Sequence, residues 1–193
     1  RIGVDDMDIN LGLDLFIKEI SKTGITVFYI HARKALLKGL SPKENRNIPP
    51  LNYERVYRLA FENPEKTIIL NGGLSNKEDI ISKQNKFHGV MLGRAAYKTP
   101  FILAELHSHA TGEPPIEKHA VAKIMANYAD NVIECGGNIR QITRHMLGLF
   151  NGEKGAKYWR QQLGEVARHQ PHNSDLIRET AEICFSKTKR EAA

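Results

Sequence analysis

Thr67-Ile68-Ile69-Leu70-Asn71-Gly72-Gly73 and, one helix further on, Gly89-Val90-Met91-Leu92-Gly93-Arg94 decide the fold. Each is a short apolar run that ends in glycine. A continuous aliphatic run of this length reads as a strand of a parallel sheet. Glycine lets the backbone turn sharply at its end, with no Cβ in the way. Between the two runs, Ser75 is placed to cap a helix that begins near Asn76, with Asp79 close to its N-terminus.

The same pattern extends towards the N-terminus. Ile25-Thr26-Val27-Phe28-Tyr29-Ile30 is nearly continuous in β-branched and aromatic residues, which predicts a strand buried on both faces. Leu11, Leu15, Phe16 and Ile20 recur at helical spacing before it, and Gly24 is placed to end that helix. Residues 53–61 read as a short helix with Val56, Leu59 and Ala60 on its apolar side. Arg1-Ile2-Gly3 looks like the tail of a strand, which suggests a piece of something longer. A further helix is expected from Gly93-Arg94 towards His109. Strand, loop and helix alternate throughout, the signature of a parallel α/β fold. A closed barrel needs eight strands, so these elements suit the C-terminal half of a (β/α)8 TIM barrel over residues 1–110.

Beyond residues 110–115, where two prolines and a glycine break the pattern, strands vanish. Residues 116–135 predict a helix with Val121, Ile124, Met125, Tyr128, Val132 and Ile133 on one side. Gly136-Gly137 breaks it. Residues 139–150 form another, with Ile142, Met146 and Leu149 at core positions. Residues 155–167 and 174–187 complete four helices, so 116–193 reads as a small all-helical domain.

The chain has 193 residues, 41% hydrophobic and 26% charged, which suits a globular protein. No apolar run approaches the ~18 residues that a membrane span needs. Cys135 and Cys184 stand apart, so neither a disulfide framework nor a zinc site is expected, and a reducing, cytoplasmic setting is the default. The net charge of +6 permits a nucleic-acid partner without requiring one.

In a parallel barrel, chemistry collects at the C-terminal strand ends. Three places qualify: His31-Ala32-Arg33-Lys34-Ala35, Asn71-Gly72-Gly73 and Gly93-Arg94. Backbone N–H groups freed at a helix start attract an anion, and Arg94 would add charge. Either glycine site alone could simply turn the chain. Two at successive strand ends favour a phosphate grip. His31, Arg33 and Lys34 crowd one strand mouth, which suits a polyanionic or electron-rich ligand better than a lone core histidine. Such grips serve aldolases, isomerases and flavin enzymes alike. The loop 36–50 is long and basic, with Lys38, Lys43 and Arg46 against Glu44. Arg140 and Arg144 share a helical face, as do Lys157 and Arg160 beside Tyr158 and Trp159. Basic groups interleaved with aromatics fit RNA, although a solvated helix surface is the commoner explanation of any one pair, and Trp159 could be core.

His31-Ala32-Arg33-Lys34-Ala35, Gly39-Leu40-Ser41-Pro42-Lys43-Glu44-Asn45-Arg46 and Ile48-Pro49-Pro50 together resemble the tRNA-dihydrouridine synthases, specifically the A subfamily. Asn71-Gly72-Gly73, residues 90–97 and Ile142-Thr143-Arg144-His145-Met146-Leu147-Gly148-Leu149 match the same family in the same order. The resemblance implies a (β/α)8 barrel that holds FMN, joined to a helical tRNA-binding domain. NADPH would reduce the flavin, which passes hydride to a D-loop uridine. By motif, His31, Asn71, Gly72, Gly73, Gly93 and Arg94 would bind FMN. Lys43, Arg46, Lys157 and Arg160 would contact tRNA. The family's catalytic cysteine lies in the first half of its barrel, so neither Cys135 nor Cys184 takes that role. The chain by itself is therefore expected to be inactive, and to self-associate through open barrel edges. Two other readings remain: an RNA-binding module without flavin chemistry, and a barrel enzyme acting on a phosphorylated sugar, against which the Ser41-Arg46 loop argues.

Overall fold

The structure is a computed structural model that describes residues 1–189, so residues 190–193 of the expected helical domain lie outside it. It divides into two compact units, Arg1–Gly93 and Arg94–Ala193. The proline-rich break of the sequence falls inside the second unit, between its second and third helices.

The first unit alternates helix and strand: α1 (Leu11–Ser21), β1 (Val27–His31), α2 (Tyr53–Glu62), β2 (Thr67–Asn71), α3 (Lys77–Gln84) and β3 (Gly89–Met91). The strands form a parallel sheet in the order β1-β2-β3. This is the arrangement of part of a TIM barrel. Residues 2–5 run alongside residues 33–35, with a single parallel bridge from Val4 to Ala35. The expected strand stub therefore lies beside the segment after β1 and joins no sheet.

One face of the sheet is closed. Phe28 and Ile30 of β1 and Ile68 and Leu70 of β2 are buried there, and α2 packs against β2 and α3 against β3. The other face is open: Val27 is 47% exposed and Tyr29 60%. The expectation of burial on both faces thus fails for β1. Val27, Phe28, Tyr29 and Ile30 carry apolar or aromatic side chains to both faces, yet the described residues supply no layer to cover the second.

One local detail also differs from the sequence reading. Asn76 caps α3, accepting from the Asp79 N–H at 2.8 Å, so Ser75 is not the cap. Asn52 caps α2 in the same way, accepting from Arg55 N–H at 2.9 Å. The Arg55 side chain is buried and ties α2 to α1. Its Nε donates to the Ile9 carbonyl at 2.8 Å and its Nη2 to the Asn10 carbonyl at 2.9 Å, beside an ion pair to Asp14. A buried guanidinium holds its place only when its donors find acceptors of this kind.

The second unit is helical: α4 (Arg94–Lys98), α5 (Ile102–Thr111), α6 (Lys118–Glu134), α7 (Arg140–Met146), α8 (Ala156–Gln161), a π-turn (Gln162–Val166), α9 (Ala167–His169) and α10 (Asp175–Lys189). The single helix expected after Arg94 is two, because Pro100 has no N–H and its ring obstructs the preceding turn. Trp159, Phe150, Leu163, Ile139 and Ile177 form the core with Ile142, Met146 and Leu149. The face that α6 buries is Ala122, Ala126 and Ala129, set against α10. Ile124 and Tyr128, expected inside, are 57% and 55% exposed. Small side chains let two helices approach closely, so burial here follows the alanines and not the largest residues.

Candidate functional site

Strand register builds the site. His31 pairs with Asn71, and Asn71 with Met91, so the three strands finish in one row. Alternation along a strand sends the side chains of that row to the same face as Tyr29, Ile69 and Gly89 one step earlier. That is the open face. His31 and Asn71, predicted separately from sequence, therefore stand side by side at the C-terminal edge. The Asn71 carboxamide donates to Met91 Sδ at 3.3 Å.

Gly72 and Gly73 follow at φ 111° and 74°, a region that glycine enters without strain. Their surroundings are tight. A Cβ on Gly72 would stand 3.2 Å from His31 Cε1, and one on Gly73 would strike Leu51 and the Tyr53 hydroxyl. Tyr53 donates to the Gly72 carbonyl at 2.8 Å, and burial pushes its phenol above the usual value, which keeps the donor proton in place. Leu51 and Tyr53 thus brace the glycine turn, a role that no spacing in the sequence signals. Gly93 differs: nothing lies near the place its Cβ would take. Arg94 begins α4 and is exposed.

The loop 31–50 is folded by its own polar side chains. Asn45 accepts from Leu36 N–H at 2.8 Å and donates to the Leu36 carbonyl at 2.5 Å. Glu44 accepts from Ser41 N–H at 2.8 Å and Ser41 Oγ at 2.6 Å. Those two bonds hold the Glu44 carboxyl below its ordinary range. Arg33 donates to the Asn47 carbonyl at 3.1 Å and to that of Pro49. Arg1 donates to the carbonyls of Lys34 and Asn45, each at 2.8 Å. One guanidinium nitrogen of Arg33, Nη1, thus serves to hold the loop. Lys43 and Arg46, at a 3-10 turn (Glu44–Arg46 with Lys43 before it), are exposed to solvent.

In the second unit Lys157 and Arg160 point outward from α8. Their aromatic neighbours do not. Trp159 is fully buried and donates from Nε1 to the Met146 carbonyl at 2.8 Å, while Lys187 covers the ring of Tyr158 at 4.8 Å. The interleaved aromatics are thus structural. Cys184 is buried against Gly155, where burial raises its thiol above the usual value, and Cys135 is exposed just past α6. Among the described residues no group of three or more His, Cys, Asp or Glu side chains could hold a metal ion. No described helix is long and apolar enough to cross a membrane.

Residues 1–189 match the family model described as dihydrouridine synthase (Dus). The chain belongs to the dihydrouridine synthase family. A tRNA-dihydrouridine(20/20a) synthase of Shewanella oneidensis is 41% identical over 180 residues, 92% of this chain and 54% of that protein. The enzyme of the same name from Vibrio cholerae is 44% identical over 174 residues, 89% and 53% respectively. That of Salmonella typhimurium is 45% identical over 190 residues, 97% and 57%. As a dihydrouridine synthase family member, the chain thus spans little more than half the length of these relatives. The expected barrel segment is in keeping with that family.

Proposed function

We propose that this chain is part of a flavin-dependent tRNA-dihydrouridine synthase that reduces D-loop uridines to 5,6-dihydrouridine, with NADPH as reductant. The observation that carries the reading is the row His31, Asn71 and Met91 on the open face, with glycine turns directly after it. The residues fit an FMN group. The imidazole and carboxamide stand side by side, with donors and acceptors to offer a ring edge. The open space around Gly93 leaves its main chain accessible to a phosphate, and Arg94 adds a charge. His31, Asn71, Gly72, Gly73, Gly93 and Arg94 would hold the cofactor. When bound, FMN carries hydride between the nicotinamide and the uracil ring. The glycine turn, braced by Tyr53, keeps His31 and Asn71 at fixed spacing. Lys43 and Arg46 on the loop, with Lys157 and Arg160 on α8, would grip the phosphates of a tRNA whose target base must leave its stack.

The segment 1–110 would then serve as the FMN-binding part and 116–193 as the tRNA-binding part. Both cysteines lie in the helical unit, which supports the reading that this chain alone does not protonate the uracil. Its open sheet face and its edge strands β1 and β3 favour self-association.

The test uses the purified chain with added FMN and an unmodified tRNA transcript. Bound flavin should show as an absorbance band that co-elutes with the protein, and Asn71→Ala with Arg94→Ala should abolish it. A colourless protein that still shifts tRNA in a gel would instead support an RNA-binding module without flavin chemistry. Sedimentation should show concentration-dependent association; a monodisperse monomer counts against an uncovered face.

A further inference from the structure

In the second unit, Arg144, His145 and Tyr97 form a hydrogen-bonded chain that neither the flavin nor the loop grip uses. Arg144 Nε donates to His145 Nε2 at 2.9 Å, and His145 Nδ1 lies 2.9 Å from the Tyr97 hydroxyl. The rings of His145 and Tyr97 meet edge to face, with centroids 5.8 Å apart. Donor and acceptor roles follow from valence. A guanidinium has no acceptor, so Nε2 must accept. A neutral imidazole then carries its proton on Nδ1 and donates it to Tyr97 Oη. The Tyr97 proton is left pointing away from the histidine, with no acceptor for it among the described residues.

We propose that this chain of three is a phosphodiester clamp for RNA, in which His145 is a positioning residue that aims Arg144. With Nε held by His145, the two Nη groups of Arg144 face outward as an end-on fork, the geometry that matches two phosphate oxygens. The Tyr97 hydroxyl supplies a third donor beside it. Arg144 and His145 are exposed on α7, and Tyr97 is 59% exposed on α4. Arg140, one turn before Arg144 on the same helix, adds positive charge to that face. The base of the cluster is rigid. Gly148, just past α7, lies so close to the Lys98 carbonyl that an added Cβ would collide with it, and Asn151 Nδ2 donates to Thr99 Oγ1 at 3.1 Å. Those contacts fix the end of α4 to the exit of α7, which sets the Tyr97 to His145 distance. A stiff, cationic, all-donor surface fits a phosphate better than a carboxylate-bearing protein, because the exposed tyrosine ring also offers a face on which a base can stack. The inference rests on the tRNA reading above and names the surface that would serve it.

The test compares the full chain with Arg144→Ala, Tyr97→Phe, His145→Leu and His145→Gln. Binding of an unmodified tRNA transcript is measured across a salt series. Arg144→Ala should weaken binding about tenfold and lower the salt slope by about 1. His145→Leu should lose most of the same affinity although the arginine remains. His145→Gln keeps an acceptor for Nε and should return to within about twofold of the parent. Circular dichroism melts verify that all variants fold, and a Leu variant that fails to fold leaves the Gln and Tyr97→Phe comparison to decide. Equal affinity for the Leu and Gln variants, or an unchanged salt slope in Arg144→Ala, overturns the clamp while the tRNA reading stands. Polyglutamate binding that responds to the same variants as tRNA does overturns the assignment to RNA. A second readout separates the two ideas: inorganic phosphate should move the His145 ring resonances in the NMR spectrum. If tRNA does not bind yet phosphate shifts them, the tRNA reading fails and the phosphate site stands. If phosphate leaves them unmoved, the clamp is overturned whatever tRNA does.

Discussion

The sheet of the first unit and the helical core of the second bury apolar surface in opposite ways. The second unit encloses its largest side chains on all sides: Trp159, Phe150, Leu163 and Ile177 are each almost fully buried. The sheet closes one face with Phe28, Ile30, Ile68 and Leu70 and leaves Val27 and Tyr29 in solvent on the other. A helical unit completes its core from its own helices. A sheet with apolar residues on both faces needs two covering layers, and this one has one. The candidate cofactor residues lie on the uncovered face. Exposure there is what makes His31 and Asn71 accessible.

The largest test of that contrast is a pair of truncations. Trp159→Ala should cost roughly 3–5 kcal/mol in urea unfolding followed by circular dichroism. Tyr29→Ala on the open face should stay within about 0.5 kcal/mol. Similar losses at both positions would break the comparison.

Next come the helix faces. Ala126→Leu overfills the contact of α6 with α10 and should cost about 1–3 kcal/mol, whereas Ile124→Ala on the exposed side should be nearly silent. Calorimetric melting temperatures decide between the alanine stripe and the bulky stripe as the buried one.

Within the site, Gly73→Ala forces a side chain into a left-handed backbone and against Leu51 and Tyr53. A loss of about 1–3 kcal/mol follows, with weaker flavin retention in gel filtration. Gly93→Ala enters open space and should leave stability within about 0.5 kcal/mol.

The smallest effect is a pH dependence in the helical unit. Arg178 and Ser174 donate to Asp130 and hold its carboxyl below the ordinary 3.8. A depressed carboxylate adds stability above its unfolded value and loses it as pH falls through the folded one. Melting temperature should therefore decline on acidification below about pH 4, and Asp130→Asn should flatten that limb. An unchanged limb in Asp130→Asn would remove the tie between α6 and α10 from the account.

Much of this was legible in the residue order. Runs such as Thr67 to Leu70 are apolar for as long as a strand needs, and Gly72-Gly73 permit the left-handed turn that follows. The helix Leu11–Ser21 lies where the spacing put it, but it buries Leu13 and Ile17, while Leu11, Leu15 and Phe16 of the expected apolar set are exposed. The site residues His31 and Asn71 could be picked out separately, because strand ends are where a parallel fold exposes side chains. What periodicity could not supply was which apolar stripe of α6 would be inside, since hydrophobicity ranks Ile124 above Ala126 and packing distance reverses the order.

Local pattern therefore determined the elements, their order and the residue types at each strand end. Tertiary structure alone decided the rest: that His31 and Asn71 share one row, that Tyr53 braces Gly72, that Arg33 Nη1 ties into its loop, and that Tyr97 reaches His145 across 48 residues. The reason is physical. Backbone propensity and apolar spacing act over a few neighbouring residues, whereas register, close approach and the pairing of buried donors depend on segments that meet only once the chain has folded.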